Sequence, residues 1–228
     1  NWESQESIRF AYVLDDVQSE ATFLLATNDG FIKQTTIQDL IPKAYKKKSA
    51  VVMKLKTADS ELIAAQPTKK DHEVLVVAQT GLALRFALED VPVVGSRTAG
   101  VKAIKLGAED QVVAVLALDP ADRFLAVVTN QGTFKYSLIE EITAGHRANK
   151  GLQVLSPRKT IDYAITAATA LTPDQGALRI RTDRLQTFDI QLADHSLSTR
   201  TSNGQALLDV KRDGQATAIF PLNLQEND

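Results

Sequence analysis

A chain of 228 residues, 44% hydrophobic and 24% charged, has the composition of one or two ordinary globular domains. It contains no cysteine, which excludes a disulfide framework and thiolate metal sites and fits a reducing compartment. A net charge of −2 excludes a uniformly basic nucleic-acid binder, and no apolar run reaches the length that spans a membrane.

The stretch Glu6-Ser7-Ile8-Arg9-Phe10-Ala11-Tyr12 resembles the later runs Glu61 to Ala65 and Gln111 to Val115. It is therefore expected to close a unit that precedes it, which implies a domain cut from a longer protein. A hairpin signal follows. The apolar run Phe23 to Ala26 leads into Thr27-Asn28-Asp29-Gly30, and Phe31-Ile32-Lys33 resumes the strand pattern. Glycine supplies the positive φ of a tight turn, and Asn and Asp tolerate it best among the rest. The same device returns at Gln79-Thr80-Gly81 and at Thr129-Asn130-Gln131-Gly132, so the three glycines stand 51 residues apart. A fourth, worn copy runs from Leu178 to Phe188 without the glycine, and its matching position is taken as Gln186.

Two further landmarks recur in step. Arg97, Arg147 and Arg200 each precede a corner glycine, Gly100, Gly151 and Gly204, and Lys48-Ser49-Ala50 takes that place in the first unit. Asp59, Asp110, Asp162 and Asp213 mark a turn at or near each closing run. Short helical turns are expected at Thr36 to Leu40, Ala87 to Asp90 and Ser137 to Glu141. Repeats of this length with four short strands each are the signature of a propeller-like array. The expected fold is all-β, with one domain fragment over 1–228. Residues 1–19 end a preceding blade, blades cover 20–70, 71–121, 122–174 and 175–221, and 222–228 form a polar tail.

No catalytic constellation emerges. There is no phosphate loop or dinucleotide fingerprint, and His72, His146 and His195 lack metal-ligand spacing. The carboxylate pairs Asp15-Asp16, Glu89-Asp90 and Glu140-Glu141 are sequence neighbours, which point to opposite faces of a strand. The basic residues are patterned instead. From repeat turn to corner the net charge is +4 over 30–50, zero over 81–100, +1 over 132–151 and −1 over 186–204. One cation at the same phase of each blade draws a basic line that suits a phosphate backbone. The alternative is that Lys46-Lys47-Lys48 form a solvated loop and Lys33, Arg85 and Lys135 are outward strand residues.

The strings Gly30 to Lys33, Val94 to Leu106 and Arg147 to Gly151 resemble blades of the C-terminal domain of bacterial type IIA topoisomerase A subunits. The resemblance covers about Ile8 to Pro221. It implies a β-pinwheel, a propeller-like disc of four-stranded blades that exchange strands, whose basic rim binds and bends duplex DNA. The gyrase A subunit carries the box Gln-Arg-Arg-Gly-Gly-Lys-Gly, which this sequence lacks; Gly145 to Gly151 keeps only part of it. Tyr45 to Leu55 and Arg200 to Gly204 look more like the topoisomerase IV A subunit. The resemblance then implies a non-catalytic domain that presents DNA for ATP-dependent relaxation and decatenation during chromosome segregation, in a cytoplasmic, chromosome-associated enzyme. Its partners would be double-stranded DNA, the rest of its own polypeptide, and the ATPase subunit, ParE, in a heterotetramer. No cofactor is expected in this domain, with Mg2+ and ATP bound elsewhere in the enzyme. The expected DNA contacts are Lys33, Lys46, Lys47, Lys48, Arg85, Arg97, Lys102, Lys135, Arg147 and Lys150, strongest in the Gly30 to Ala50 blade and weakest in the last. The equivalent DNA-wrapping domain of the gyrase A subunit, a protein-binding propeller scaffold and a propeller enzyme are the rival readings.

Overall fold

The structure is a computed structural model that describes residues 7–13, 21–41, 51–158 and 160–222. Each repeat begins with a hairpin around one of the expected turns. These are β1 (Thr22–Thr27) with β2 (Phe31–Thr36), β4 (Glu73–Ala78) with β5 (Leu82–Ala87), and β8 (Phe124–Thr129) with β9 (Thr133–Leu138). The fourth is β12 (Ala177–Thr182) with β13 (Thr187–Gln191). After an excursion the chain returns as β3 (Leu62–Thr68), β7 (Val112–Leu118), β11 (Ile165–Leu171) or β15 (Ala216–Leu222), antiparallel to the first strand of its own repeat. These four closing strands lie against one another in series and form the hub. Gln66 ties two of them together, donating to the Val115 carbonyl at 2.9 Å and accepting from the Ala117 amide at 2.8 Å.

The excursions make the strand exchange. β6 (Val101–Lys102) leaves the second repeat and pairs with β2 of the first. β10 (Leu152–Gln153) pairs with β5, and β14 (Gln205–Ala206) with β9. Blades 1 to 3 are thus four-stranded, ordered β3-β1-β2-β6, β7-β4-β5-β10 and β11-β8-β9-β14, while among the described residues blade 4 has the three strands β15-β12-β13. The corner glycines explain themselves here. Gly100, Gly151 and Gly204 have φ of 77°, 80° and 78°, and a Cβ there would lie 2.2, 2.5 and 2.4 Å from the carbonyl oxygens of Ile32, Ala83 and Phe134. Only glycine lets the donated backbone turn against the acceptor strand at that range. Ala50, the residue at this position in the first repeat, lies outside the described residues.

The first and third landmarks meet in space. Asn28 donates to the Asp59 carbonyl and accepts from the Glu61 amide, and Asn130 repeats the pair with Asp162 and Ala164. Thr80 binds the Asp110 carboxylate through both its amide and its hydroxyl. Each hairpin turn is thereby pinned to the start of its closing strand. The short turns also fall where expected: α1 (Ile37–Leu40), capped by Thr36, then 3-10 turns at Leu88–Asp90 and Ile139–Glu141. A further 3-10 turn at Leu192–Asp194 was not anticipated.

The fourth hairpin corrects the expected alignment. Ala26↔Ile32, Val77↔Ala83, Val128↔Phe134 and Arg181↔Thr187 are equivalent pairs. Leu185, not Gln186, therefore occupies the glycine position. Its φ is 59°, and its amide donates to the Thr182 carbonyl as Gly132 does to Thr129. The likeness of Thr187-Phe188 to Thr133-Phe134 is one residue out of register.

The cores lie between blades. Leu24 and Ala26 pack on Val74 and Val76, Leu75 and Val77 on Leu125 and Val127, and Ala126 and Val128 on Leu178 and Ile180. Each fully buried aliphatic contributes about 1.5–3 kcal/mol, so a blade is stable through its neighbours rather than alone. The first strands of blades 1 to 3 are accordingly buried on both faces, whereas β12 alternates, with Arg179 and Arg181 exposed. Arg179 makes a bidentate pair with Asp189 at 2.6 and 2.7 Å, and Arg181 lies over the Phe220 ring. Blade 4 thus ends the described array with a polar face, as terminal repeats do.

Candidate nucleic-acid interface

Strand exchange decides which cations share a surface, because each corner turn belongs to one repeat and sits on the blade before it. The corner at Gly95–Gly100 and β6 bring exposed Arg97 and Lys102 to the outer edge of blade 1. Lys54 joins them, since its amide donates to the Thr98 carbonyl at 3.1 Å and its side chain is exposed. Lys105 follows two residues beyond Ala103 and is also exposed. Its amide donates to the Asn149 carbonyl at 2.9 Å, which joins this corner to the next. There, on blade 2, stand Arg147, exposed Lys150 and exposed Arg158. On blade 3 the corner offers half-buried Arg200, and exposed Lys211 follows at the place Arg158 takes on blade 2.

Arg147 and Arg200 hold these corners in series. The Arg147 guanidinium donates to the carbonyls of Asp90 at 3.1 Å and Lys102 at 2.6 Å. Arg200 donates in the same way to the Gln153 carbonyl, and its amide binds the Glu141 carboxylate at 2.8 Å. Arg147 and Arg200 therefore each tie their own turn to the strand donated by the previous repeat, whereas Arg97 stays free of such a bond among the described residues.

Two expected contacts, Lys33 and Lys135, are corrected, and a third, Arg85, is half-buried. Lys33 is fully buried, and its ammonium donates to the carbonyls of Gly95 and Ser96 at 2.9 and 3.1 Å. Lys135 is 2% exposed and donates to Val154, Thr199 and Arg200. Both stand three residues after the turn glycine, where the side chain meets the incoming corner and fills the carbonyl cluster of that tight turn. Burial lowers both pKa values, partly opposed by Asp39 at Lys33; for Lys135 the value falls to about 8, with Glu141 raising it and Arg200 lowering it further. Leu84 occupies this position in blade 2 and Phe188 in blade 4. Arg85, one residue further on, spans between blades. It donates to the Ile139 carbonyl at 3.2 Å and faces Glu73 at 3.6 Å. Gln34 does the same with Leu88 and Val91, and Tyr136 with His195.

Of the expected contacts, Arg97, Lys102 and Lys150 are exposed, with no side-chain partner among the described residues, and Arg147 is half-buried. Lys46, Lys47 and Lys48 lie outside the described residues. Exposed Lys54, Lys105 and Arg158 share this edge and were not among the expected residues. Lys105, three residues after Lys102, was available to a count extended past the corner glycine. Lys54 reaches this edge only through the contact between repeats. Among the described residues no three His, Asp or Glu side chains converge as metal ligands.

The model of a protein family described as "DNA gyrase C-terminal domain, beta-propeller" matches residues 21–69, 72–119 and 123–162. The chain belongs to the DNA gyrase C-terminal domain, beta-propeller family. Among its relatives, the DNA topoisomerase 4 A subunit of Streptococcus pneumoniae is 34% identical over 99% of this chain and 29% of its own length. The DNA topoisomerase 4 A subunit of Bacillus subtilis is 28% identical over 97% of this chain and 27% of its own length. The chain thus spans under a third of the curated relatives it matches. A crystal structure of the C-terminal domain of DNA topoisomerase IV superposes with a TM-score of 0.88 at 26% identity, covering 96% of this chain and 67% of that one. A structure of the DNA gyrase A C-terminal domain gives 0.82 at 22% identity, covering 96% and 71%, and shares the fold.

Proposed function

We propose that this chain is the DNA-binding domain of a topoisomerase IV A subunit. Duplex DNA would follow the outer edge of the blades, bend there, and be presented to a catalytic core elsewhere in the polypeptide for ATP-dependent relaxation and decatenation in chromosome segregation. The whole enzyme would be a cytoplasmic, chromosome-associated heterotetramer with the ATPase subunit, ParE, and its ATP and Mg2+ would be bound outside this domain.

The observation that carries the reading is the serial placement of exposed cations on the donated corners. Arg97, Lys102 and Lys105 on blade 1 and Lys150 and Arg158 on blade 2 are linked by the Lys105–Asn149 backbone hydrogen bond. A local basic line supports phosphate binding despite the net charge of −2, because affinity comes from counterion release where the phosphates lie. Among the described blades, binding falls from blade 1 to blade 3, where Arg200 is already tied to Gln153.

The test is anisotropy of a labelled short duplex with Arg97, Lys102 and Lys150 changed together to alanine. The reading expects binding to be lost in this variant and retained in Arg181→Ala, whose arginine lies on the end face of blade 4. Equal affinities for both variants and the unsubstituted chain would refute it.

A further inference from the structure

The rim cations stand on or beside short corner turns, and two of these turns are built around a buried ammonium. The corner carrying Arg97 and leading to Lys102 has two carbonyls, those of Gly95 and Ser96, aimed at Lys33 Nζ. The corner carrying Arg200 aims Thr199 and Arg200 at Lys135 Nζ, which also takes the Val154 carbonyl of the preceding corner at 2.6 Å. Both lysines belong to the acceptor blade, and the turns they grip belong to the next repeat. Convergent carbonyls around a buried side chain need a donor, and an ammonium supplies three.

We propose that Lys33 and Lys135 are positioning residues of the DNA-binding edge that do not touch phosphate: Lys33 fixes the corner that carries exposed Arg97 and Lys102, and Lys135 fixes the Arg200 corner and, through the Val154 carbonyl, the segment between exposed Lys150 and Arg158. This rests on the DNA-binding reading above. It divides the basic residues of the chain into two kinds with different salt signatures. Removing a contact lysine releases fewer counterions, so the log–log salt slope shrinks by about 0.9 per lost phosphate contact. Removing a positioning lysine leaves the contacting cations in place but lets their turn wander, so affinity falls while the slope stays.

The experiment measures duplex affinity across salt for the unsubstituted chain, Lys33→Met, Lys135→Met and Lys102→Ala, with hydrogen exchange of the corner amides in parallel. Methionine keeps the aliphatic stem and removes the ammonium. Expected for Lys33→Met is a loss of about fivefold or more at fixed salt, an unchanged slope, and faster exchange confined to 95–102. Lys135→Met should do the same at 198–206, and Lys102→Ala should shrink the slope without loosening a corner. A smaller slope in either Met variant would mean direct phosphate contact and overturn the proposal. So would unchanged affinity, or corner amides that exchange as in the unsubstituted chain. If one Met variant fails to fold, the other carries the same test on a different blade. No DNA binding by the unsubstituted chain would remove the functional reading itself, a result distinct from these.

Discussion

The buried Lys135 makes the stability of the array depend on pH in a range where few other groups titrate. Its pKa falls from 10.5 to about 8 because burial penalises the charged form. Between those values the unfolded chain holds a proton that the folded chain has lost, so folding stability rises with pH across the interval. The contribution is present in full above the unfolded value and is lost as pH falls through the folded one. With 1.36 kcal/mol per unit, the gap corresponds to about 3 kcal/mol. Lys33 acts in the same direction, and the raised pKa of Tyr12 opposes it only near pH 10 and above. The charged lysine is therefore not the most stable occupant at neutral pH in electrostatic terms. It stays because Val154, Thr199 and Arg200 would otherwise lack a donor, at about 1–3 kcal/mol for each stranded group. Urea unfolding at pH 7, 8, 9 and 10 should show the unsubstituted chain gaining stability over this range. Lys135→Met should be less stable at pH 7, with a flatter profile. Parallel profiles for the two proteins would refute the argument.

Three other outcomes follow from the same geometry. Leu185 is held at φ 59° with an 84% exposed side chain, so Leu185→Asn should relieve left-handed strain and stabilise by about 1 kcal/mol, read as a higher urea midpoint. Gly151→Ala places a Cβ 2.5 Å from the Ala83 oxygen, so it should cost about 2–4 kcal/mol and speed hydrogen exchange at 145–153; wild-type stability would show that the donated strand does not pack as closely as described. Replacing Arg179 by Leu and Arg181 by Val together should turn the end face of blade 4 apolar. Sedimentation should then show self-association that the unsubstituted chain lacks.

The repeat was legible because its landmarks are backbone necessities. The turn glycines answer a positive φ, and the corner glycines answer both a positive φ and a carbonyl that a Cβ would strike. Asn28 and Asn130 recur because each closes a hydrogen-bond pair with the opposite turn. The family resemblance rested on these same strings, and the family match agrees with it. What the sequence concealed is the direction of individual basic side chains. Lys33 in Phe31–Thr36 reads as an outward cation when alternation is assumed. Yet β2 is covered along its outer edge by the strand Val101–Lys102 donated from the next repeat, and carbonyls that no alignment displays draw the ammonium inward. The same exchange moves each basic corner to the blade before its own, so a charge count by repeat assigns it to the wrong blade. Blade 4 escaped for another reason. Similar side chains at Thr187-Phe188 suggested one register, while the Leu185–Thr182 turn hydrogen bond sets another.

The most direct test of the account is the affinity of this chain for a short DNA duplex as a function of salt. A basic edge built from Arg97, Lys102, Lys105 and Lys150 predicts a linear fall of log affinity with log salt, with a slope of about −3 to −4 for as many phosphate contacts. Absence of binding at low salt, or binding that salt does not weaken, would contradict it.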